Sequence, residues 1–358
     1  MAKKVLGWLG SALLVLGLYL FFWPVPIDPI FWEPLPVPAL EGDFVENRVL
    51  QGMELFATPN GRGPEDVAVD SEGRVYVGLE DGQVLRYAAD GSNPEVFADT
   101  AGRPLGLDFD GDGNLIVADA VKGLLSIDST GAIEVLCTEA DSEPFGFTDD
   151  VDVDSQNVAW FSDASVRWDH REVMNDVLES RPSGRLLKYD PSTGDCSVVL
   201  DGLVFANGIA VSPDDTFVLV NETMRYRTQR VYVRGPRAGE VEVFIDNLPG
   251  FPDGISTGPD GTFWLALYAP RNGLLDFAGP KPWLRKLIYR IPEAMQPKPK
   301  RHPFVLGLDA TGKVVHNLQD AEGASFSKTT SAEQLGDWLY VGSLTEPKWG
   351  RINLASIE

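Results

Sequence analysis

Three histidines and two cysteines in 358 residues leave little material for imidazole or thiolate chemistry. Only His170, His302 and His316 could serve a catalytic triad, and no nucleophile-elbow sequence accompanies them, so Ser-His-Asp hydrolysis is poorly supported. Basic residues are scarce beside acidic ones, 30 against 53, for a net charge of −23. Such a chain repels phosphate backbones and offers them no basic stripe, which argues against a nucleic-acid partner. Long helical periodicities are also few. Hydrophobic residues are not lacking, at 44%, so a substantial core is expected rather than disorder. The two cysteines, Cys137 and Cys196, fall at non-equivalent places in the repeat described below, which argues against a bridge between them even in an oxidising compartment.

The uncharged run Val5 to Trp23 would span roughly 28 Å as a helix, enough for the hydrocarbon core of a bilayer. Lys3 and Lys4 precede it while Asp28 and Glu33 follow. The positive-inside rule therefore predicts a cytoplasmic N-terminus, with the rest on the periplasmic, lumenal or extracellular side. A cleaved signal peptide is the competing reading, although Leu20 to Trp23 offers no small-residue cleavage site. Prolines recur from Pro24 to Pro38, predicting an extended spacer. The expected organisation is a cytoplasmic stub and anchor over 1–23, a stalk over 24–40 and one folded domain over 41–358.

Within 41–358, short runs of Val, Ile, Leu, Phe, Tyr and Trp are punctuated by Asp-Gly, Pro-Asp and Ser-Gly turn signals, which reads as all-β. Aligned on their turns they repeat with a period of roughly 40 residues or more, with insertions at about 165–183 and 268–300. The first runs are EDVAVDSEG from Glu65, LGLDFDGDG from Leu105, DDVDVDSQN from Asp149, NGIAVSPDD from Asn207 and DGISTGPDG from Asp253. Each first residue stands eight before its turn residue: Gly73, Gly113, Asn157, Asp215 and Gly261. A sixth unit runs from Trp338, and the stretch near Val49 to Phe56 is expected to supply its outermost strand. The prediction is a six-bladed β-propeller closed by pairing of the two ends of the domain.

In a propeller the first strand of each blade lines the channel, so Glu65, Leu105, Asp149, Asn207 and Asp253 should form a ring at one depth, with the sixth member unassigned in register. Packed carboxylates would repel one another unless a cation neutralised them. All-oxygen donors favour Ca2+ or Mg2+ over zinc or copper, and calcium tolerates ligands drawn from separate blades. Glu65, Asp149, Asn207 and Asp253 are thus the candidate metal ligands. Phe147, Phe205 and Phe251 each stand two residues before a ligand and are candidates for the wall of an apolar pocket, or for a packing layer at the rim. The stretch Asp108 to Asp119 imitates an EF-hand loop but coincides with a strand, turn and strand, and is read as a hairpin. His170 lies in the first insertion and is the imidazole candidate for catalysis. The second insertion mixes apolar and basic residues and reads as a lid or as a surface touching the membrane.

The motifs FTDDVDV, WFSDAS, GRLLKYDPSTG, FANGIAVSPDD, NETMRYR and NLPGFPDGI, between Phe147 and Ile255, resemble the strictosidine synthase-like family, with weaker similarity from about Val49 to the end. Behind that family stand the gluconolactonases, paraoxonases and diisopropylfluorophosphatase, calcium-dependent six-bladed propellers. The resemblance implies calcium-ligand positions at Glu65, Asn207 and Asp253, with Asp253 also the general base or nucleophile. Asp149 departs from the pattern, because relatives usually have Asn before the Asp that is Asp150 here. The expectation is a calcium-dependent hydrolase of small-molecule esters or lactones. Its alternative is a ligand-binding or scaffold propeller with a structural calcium. True strictosidine synthase chemistry is not expected, since TFWLALYAP in the fifth blade carries no acid.

Overall fold

The turn residues that set the repeat are also what bends the chain. Gly73, Gly113, Asn157, Asp215 and Gly261 all have positive φ, between 56° and 83°, the region that glycine enters freely and that Asn and Asp tolerate better than most residues. Each reverses the chain between a channel-lining strand and its neighbour. In the computed structural model, which describes every residue except Met1, Asn60, Glu293, Ala294, Pro297, Ser325 and Glu358, the chain forms six four-stranded antiparallel sheets in a ring.

The six channel-lining strands are Val67–Val69, Pro104–Phe109, Thr148–Val153, Ala206–Val211, Gly250–Thr257 and Thr329–Leu335. The last sheet takes its outermost strand, Glu54–Ala57, from the start of the domain, where it pairs antiparallel with Lys348–Asn353. Val49–Gly52, which the sequence grouped with that strand, is instead a 3-10 turn. The sixth ring position was hidden because its hairpin is tighter: Leu335 pairs directly with Trp338 across Gly336 and Asp337, where the other blades use longer turns. Its ladder aligns Thr329 with Thr148, which makes Thr330 the sixth member. Asp108 to Asp119 is the strand, turn and strand that was expected.

Blades meet through apolar clusters, such as Val158, Trp160, Leu186, Ile209 and Val220 between the third and fourth. Where neighbouring inner strands touch there is no room for side chains. A Cβ on Gly208 would lie 2.3 Å from the Asp253 carbonyl oxygen, and one on Gly254 would lie 2.5 Å from that of Thr330. Glycine at these positions lets neighbouring inner strands touch.

Cys137 and Cys196 are bridged, against the expectation from their repeat positions. They end up on the outer strands of blades two and three, Ile133–Cys137 and Asp195–Leu203, with Cα atoms 6.4 Å apart. Repeat equivalence governs which residues share a depth along the channel. Outer strands of adjacent blades face one another at an angle, so unlike positions meet there.

Among the described residues, four α-helices accompany the ring. Helix α1 (Ala2–Phe22) is long and apolar enough to cross a membrane. The two insertions carry α2 (Val173–Glu179), α3 (Gly273–Ala278) and α4 (Pro282–Arg290). Both insertions leave the ends of second strands, at the same edge of the ring as the first residues of the inner strands, so they overhang that mouth of the channel. The proline-rich segment is extended, as its composition dictates, and lies on these helices. Ile27 is fully buried with Leu178, Ala278 and Ile288, and the Ile30 and Trp32 amides donate to the Glu179 and Gly279 carbonyls.

Candidate metal centre and pocket

The inner strands do more than line the channel at their starts. In blades three to six the ladder slips between Thr148 and Val151, Ala206 and Ile209, Pro252 and Ile255, and Thr329 and Ala332. Such bulges free two residues per strand from regular pairing. The residues freed include Asp149, Asn207, Asp253 and Thr330. Together with Glu65 they are all buried around the channel, and Glu65, Asp149, Asn207 and Asp253 line one cavity.

Electrostatics make this an unstable grouping without a counter-charge. Burial pushes the Glu65, Asp149 and Asp253 carboxyls well above the usual carboxylate range. Mutual repulsion adds to it: Asp149 raises Glu65, Asp253 raises Asp149 and Glu65 raises Asp253. The Asn207 amide opposes the shift at Asp253. Asp149 Oδ2 is buried without any hydrogen-bond partner. Among the described residues no three His, Cys, Asp or Glu side chains are gathered closely enough to hold a metal ion as they stand. The donor set nonetheless suits a hard cation on two grounds: every donor is oxygen, and an orphaned carboxylate oxygen needs a partner.

The next residues along, Asp66 and Asp150, are committed elsewhere. Asp66 accepts from the Val67 and Leu107 amides at 2.7 and 2.8 Å. Asp150 accepts from Val151 and Ile209 at 2.9 and 2.7 Å. Each therefore ties its blade to the next one, a role repeated deeper in the channel where Asp108 accepts from Val153 and Asp152 from Val211.

Two site residues escaped the sequence reading. Arg103 is buried, donates to the Gly63 carbonyl at 2.9 Å and lowers the Glu65 and Asp149 carboxyls against the general trend. It stands two residues before Leu105, the one apolar member of the ring, so the blade without a ligand supplies a cation. That coincidence was its only signal. Tyr268 ends up facing the ring, its hydroxyl held protonated by burial and by Asp253.

Above the ring opens a cavity of about 460 Å³, in the range that holds a small organic ligand. Phe147, Phe205 and Phe251 line it, and they are also packed as a layer: Phe147 meets Phe205 edge-on at 5.8 Å, and Tyr226 meets Phe251 at 5.2 Å. His170, on a 3-10 turn of the first insertion, reaches the same cavity beside Phe147. Its Nδ1 has no partner, and burial lowers its pKa, so it is a neutral imidazole at pH 7.

Comparisons with known proteins agree with this architecture. The strictosidine synthase profile matches residues 149–236 and the strictosidine synthase-like N-terminal profile matches 42–87. Strictosidine synthase-like 4 of Arabidopsis thaliana is 37% identical over 92% of this chain and 88% of its own. The adipocyte plasma membrane-associated protein of Danio rerio is 33% identical over 96% of this chain and 88% of its own. Among solved structures, a gluconolactonase from Xanthomonas campestris superposes with a TM-score of 0.61 at 15% identity, covering 92% of this chain and 98% of that one. A calcium-binding regucalcin from Agrobacterium tumefaciens gives 0.57 at 17% identity, covering 83% and 94%. With relatives above 30% identity over nearly the full length of both chains, this protein belongs to the strictosidine synthase-like family.

Proposed function

We propose that the protein is a calcium-dependent hydrolase of small-molecule esters or lactones. The observation that carries the reading is the conjunction of an oxygen-donor ring, including an orphaned carboxylate oxygen, with an aromatic-walled cavity directly above it. Glu65, Asp149, Asn207 and Asp253 would hold the ion. When bound, calcium supplies a positive centre that polarises a carbonyl and returns the ring carboxyls to their ionised form.

The chain's own groups then divide the work. Phe147, Phe205 and Phe251 seat the apolar part of the substrate and keep water from the ring. Asp253, once ionised, takes a proton from the water that adds to the acyl carbon and passes it to the alkoxide that leaves; if it attacks directly, the alkoxide leaves with a proton from a neighbouring donor and water then hydrolyses the acyl anhydride, restoring the carboxylate. Neutral His170 is able to receive or return a proton at the cavity rim, and the protonated Tyr268 hydroxyl is a donor beside Asp253. Arg103 adds a fixed positive charge behind Glu65 and Asp149.

A non-catalytic binding propeller shares the ring but does not require the proton-handling groups. The two readings separate on Asp253→Asn: metal-replete wild type should hydrolyse members of a broad ester and lactone panel, with kcat falling by about 10²–10⁴ in the variant. Equal rates for both proteins across the panel sink the hydrolase. For topology we propose a cytoplasmic N-terminus and an external propeller, a reading supported by Lys3 and Lys4 before α1 and by the Cys137–Cys196 bridge.

A further inference from the structure

The second insertion presents a face that the fold leaves bare. On α3, Leu275 turns inward and lines the cavity, while Leu274 and Phe277, three residues apart on the other side, are 41% and 59% exposed. On α4, Arg285 and Ile288 are buried, and Trp283 is 58% exposed. Lys286, Leu287 and Arg290 share the Trp283 stripe at helical spacing. The turn between the helices is joined to the proline-rich segment by the Trp32 amide donating to the Gly279 carbonyl, and the adjacent Phe31 is 64% exposed. Phe31, Leu274, Phe277 and Trp283, all exposed, thus belong to or adjoin the elements that meet at this turn, with the Lys281 ammonium over the Phe277 ring at 3.6 Å.

What covers them follows from where α4 ends. Arg290 donates through Nε to the Trp23 carbonyl at 2.7 Å and through Nη1 to the Leu20 carbonyl at 3.0 Å, and Tyr19 Oη donates to the Arg290 carbonyl at 3.2 Å. Leu20 is in the last turn of α1 and Trp23 just past it, where intrahelical donors run out, and a guanidinium there also suits the helix dipole. The end of the candidate span is therefore fastened to the end of α4, and the exposed Trp283 stripe begins where the span emerges. Charge points the same way: residues 281–301 hold seven Lys and Arg against one Glu, in a chain with a net charge of −23. Exposed aromatics interleaved with basic side chains beside a membrane span are the composition of a surface that sits in the headgroup region of a bilayer.

We infer that Phe31, Leu274, Phe277 and Trp283 dip into the bilayer crossed by α1, holding the propeller with its cavity mouth at the membrane surface. The cavity wall and the lipid-facing surface are then two sides of α3. Apolar compounds dissolved in the leaflet would lie one helix away from the ring.

The test uses the full chain, one copy per nanodisc, of phosphatidylcholine with and without phosphatidylserine. Single cysteines at Phe277→Cys and Trp283→Cys carry an environment-sensitive dye, with Val96→Cys, 56% exposed on the outer strand of the first blade, as reference. Labels at 277 and 283 should emit at shorter wavelength and resist a water-soluble quencher severalfold better than the label at 96, more so with phosphatidylserine. Equal quenching at all three positions overturns the inference. Protection seen only in discs carrying two copies overturns it as well, in favour of a dimer through this face. Hydroxyl-radical footprinting of native Phe277 and Trp283 gives the same answer without substitutions, should either variant misfold. Neither measurement needs metal or turnover, so its failure is separate from that of the hydrolase.

Discussion

Replacing Asp149 by Asn separates what the ring loses without a cation from what it gains with one. In the metal-free protein Asp149 is buried, is pushed up by burial first and then by Asp253 and Asp150, and has an oxygen with no partner. An amide of the same shape carries no charge and brings donors. Removing an uncompensated buried charge of this kind stabilises by about 1–3 kcal/mol. For a domain of this size that is roughly 2–6 °C in Tm, taking the low end of the usual conversion. The metal-free variant should therefore melt above metal-free wild type at neutral pH. The gap should narrow as pH falls through the ordinary carboxylate range, where the Asp149 carboxyl of the unfolded chain takes up its proton too. Calcium reverses the advantage in increment. At a hundredfold excess over Kd the wild type gains about 2.7 kcal/mol, whereas a variant binding tenfold more weakly for want of one anionic ligand gains roughly half of that. Scanning fluorimetry in chelator and across a calcium titration reads both quantities. A variant that melts lower than wild type in chelator, or that keeps the full calcium increment, refutes the assignment of Asp149 as a cation ligand.

Asp176, buried on α2 with Oδ1 unpartnered, has its pKa raised by burial to about 6. A raised carboxyl favours the folded state below the unfolded value near 3.8 and gives that stability up as pH rises through about 6. Denaturant titrations should show a loss on the order of 3 kcal/mol across this window that Asp176→Asn flattens; identical pH profiles would contradict it. Opening the Cys137–Cys196 bridge, whose partners are 59 residues apart, by reduction or by paired serine substitution should destabilise the propeller by about 2–4 kcal/mol. Thiol labelling of protein from intact cells that finds both cysteines free would contradict the external placement of the domain.

The ring was legible because it depends on counting. Eight residues between a ring residue and its turn residue is a chain-local quantity, and Glu65, Asp149, Asn207 and Asp253 follow from it without knowledge of tertiary contacts. Thr330 does not, because its two-residue hairpin breaks the count. Arg103 and Tyr268 are outside the aligned column altogether. Arg103 works by charge across the channel and Tyr268 by the direction of a strand end, and neither property has a spacing. The disulfide was misread for a related reason: proximity between outer strands is set by blade twist. The proline-rich segment docks on the insertions rather than standing free, because Ile27 meets Leu178 and Ile288, residues from two insertions that share no periodic relation with it.

The closing strand Glu54–Ala57 has a consequence for how the protein is made. Its pairing places Glu54 opposite Arg351, and the two side chains are joined 297 residues apart along the chain. At about 5–20 residues per second, the first strand waits roughly 15–60 s for its partner to be synthesised. Throughout that time five blades have no closed ring, and an unpaired edge stands ready to accept any passing strand. Only four residues long, and carrying a charge at its first position, it is a poor template for that mistake. The strand Lys348–Asn353 thus decides whether the preceding three hundred residues become a ring. Truncation there should send the whole domain to quality control rather than trim one edge of it.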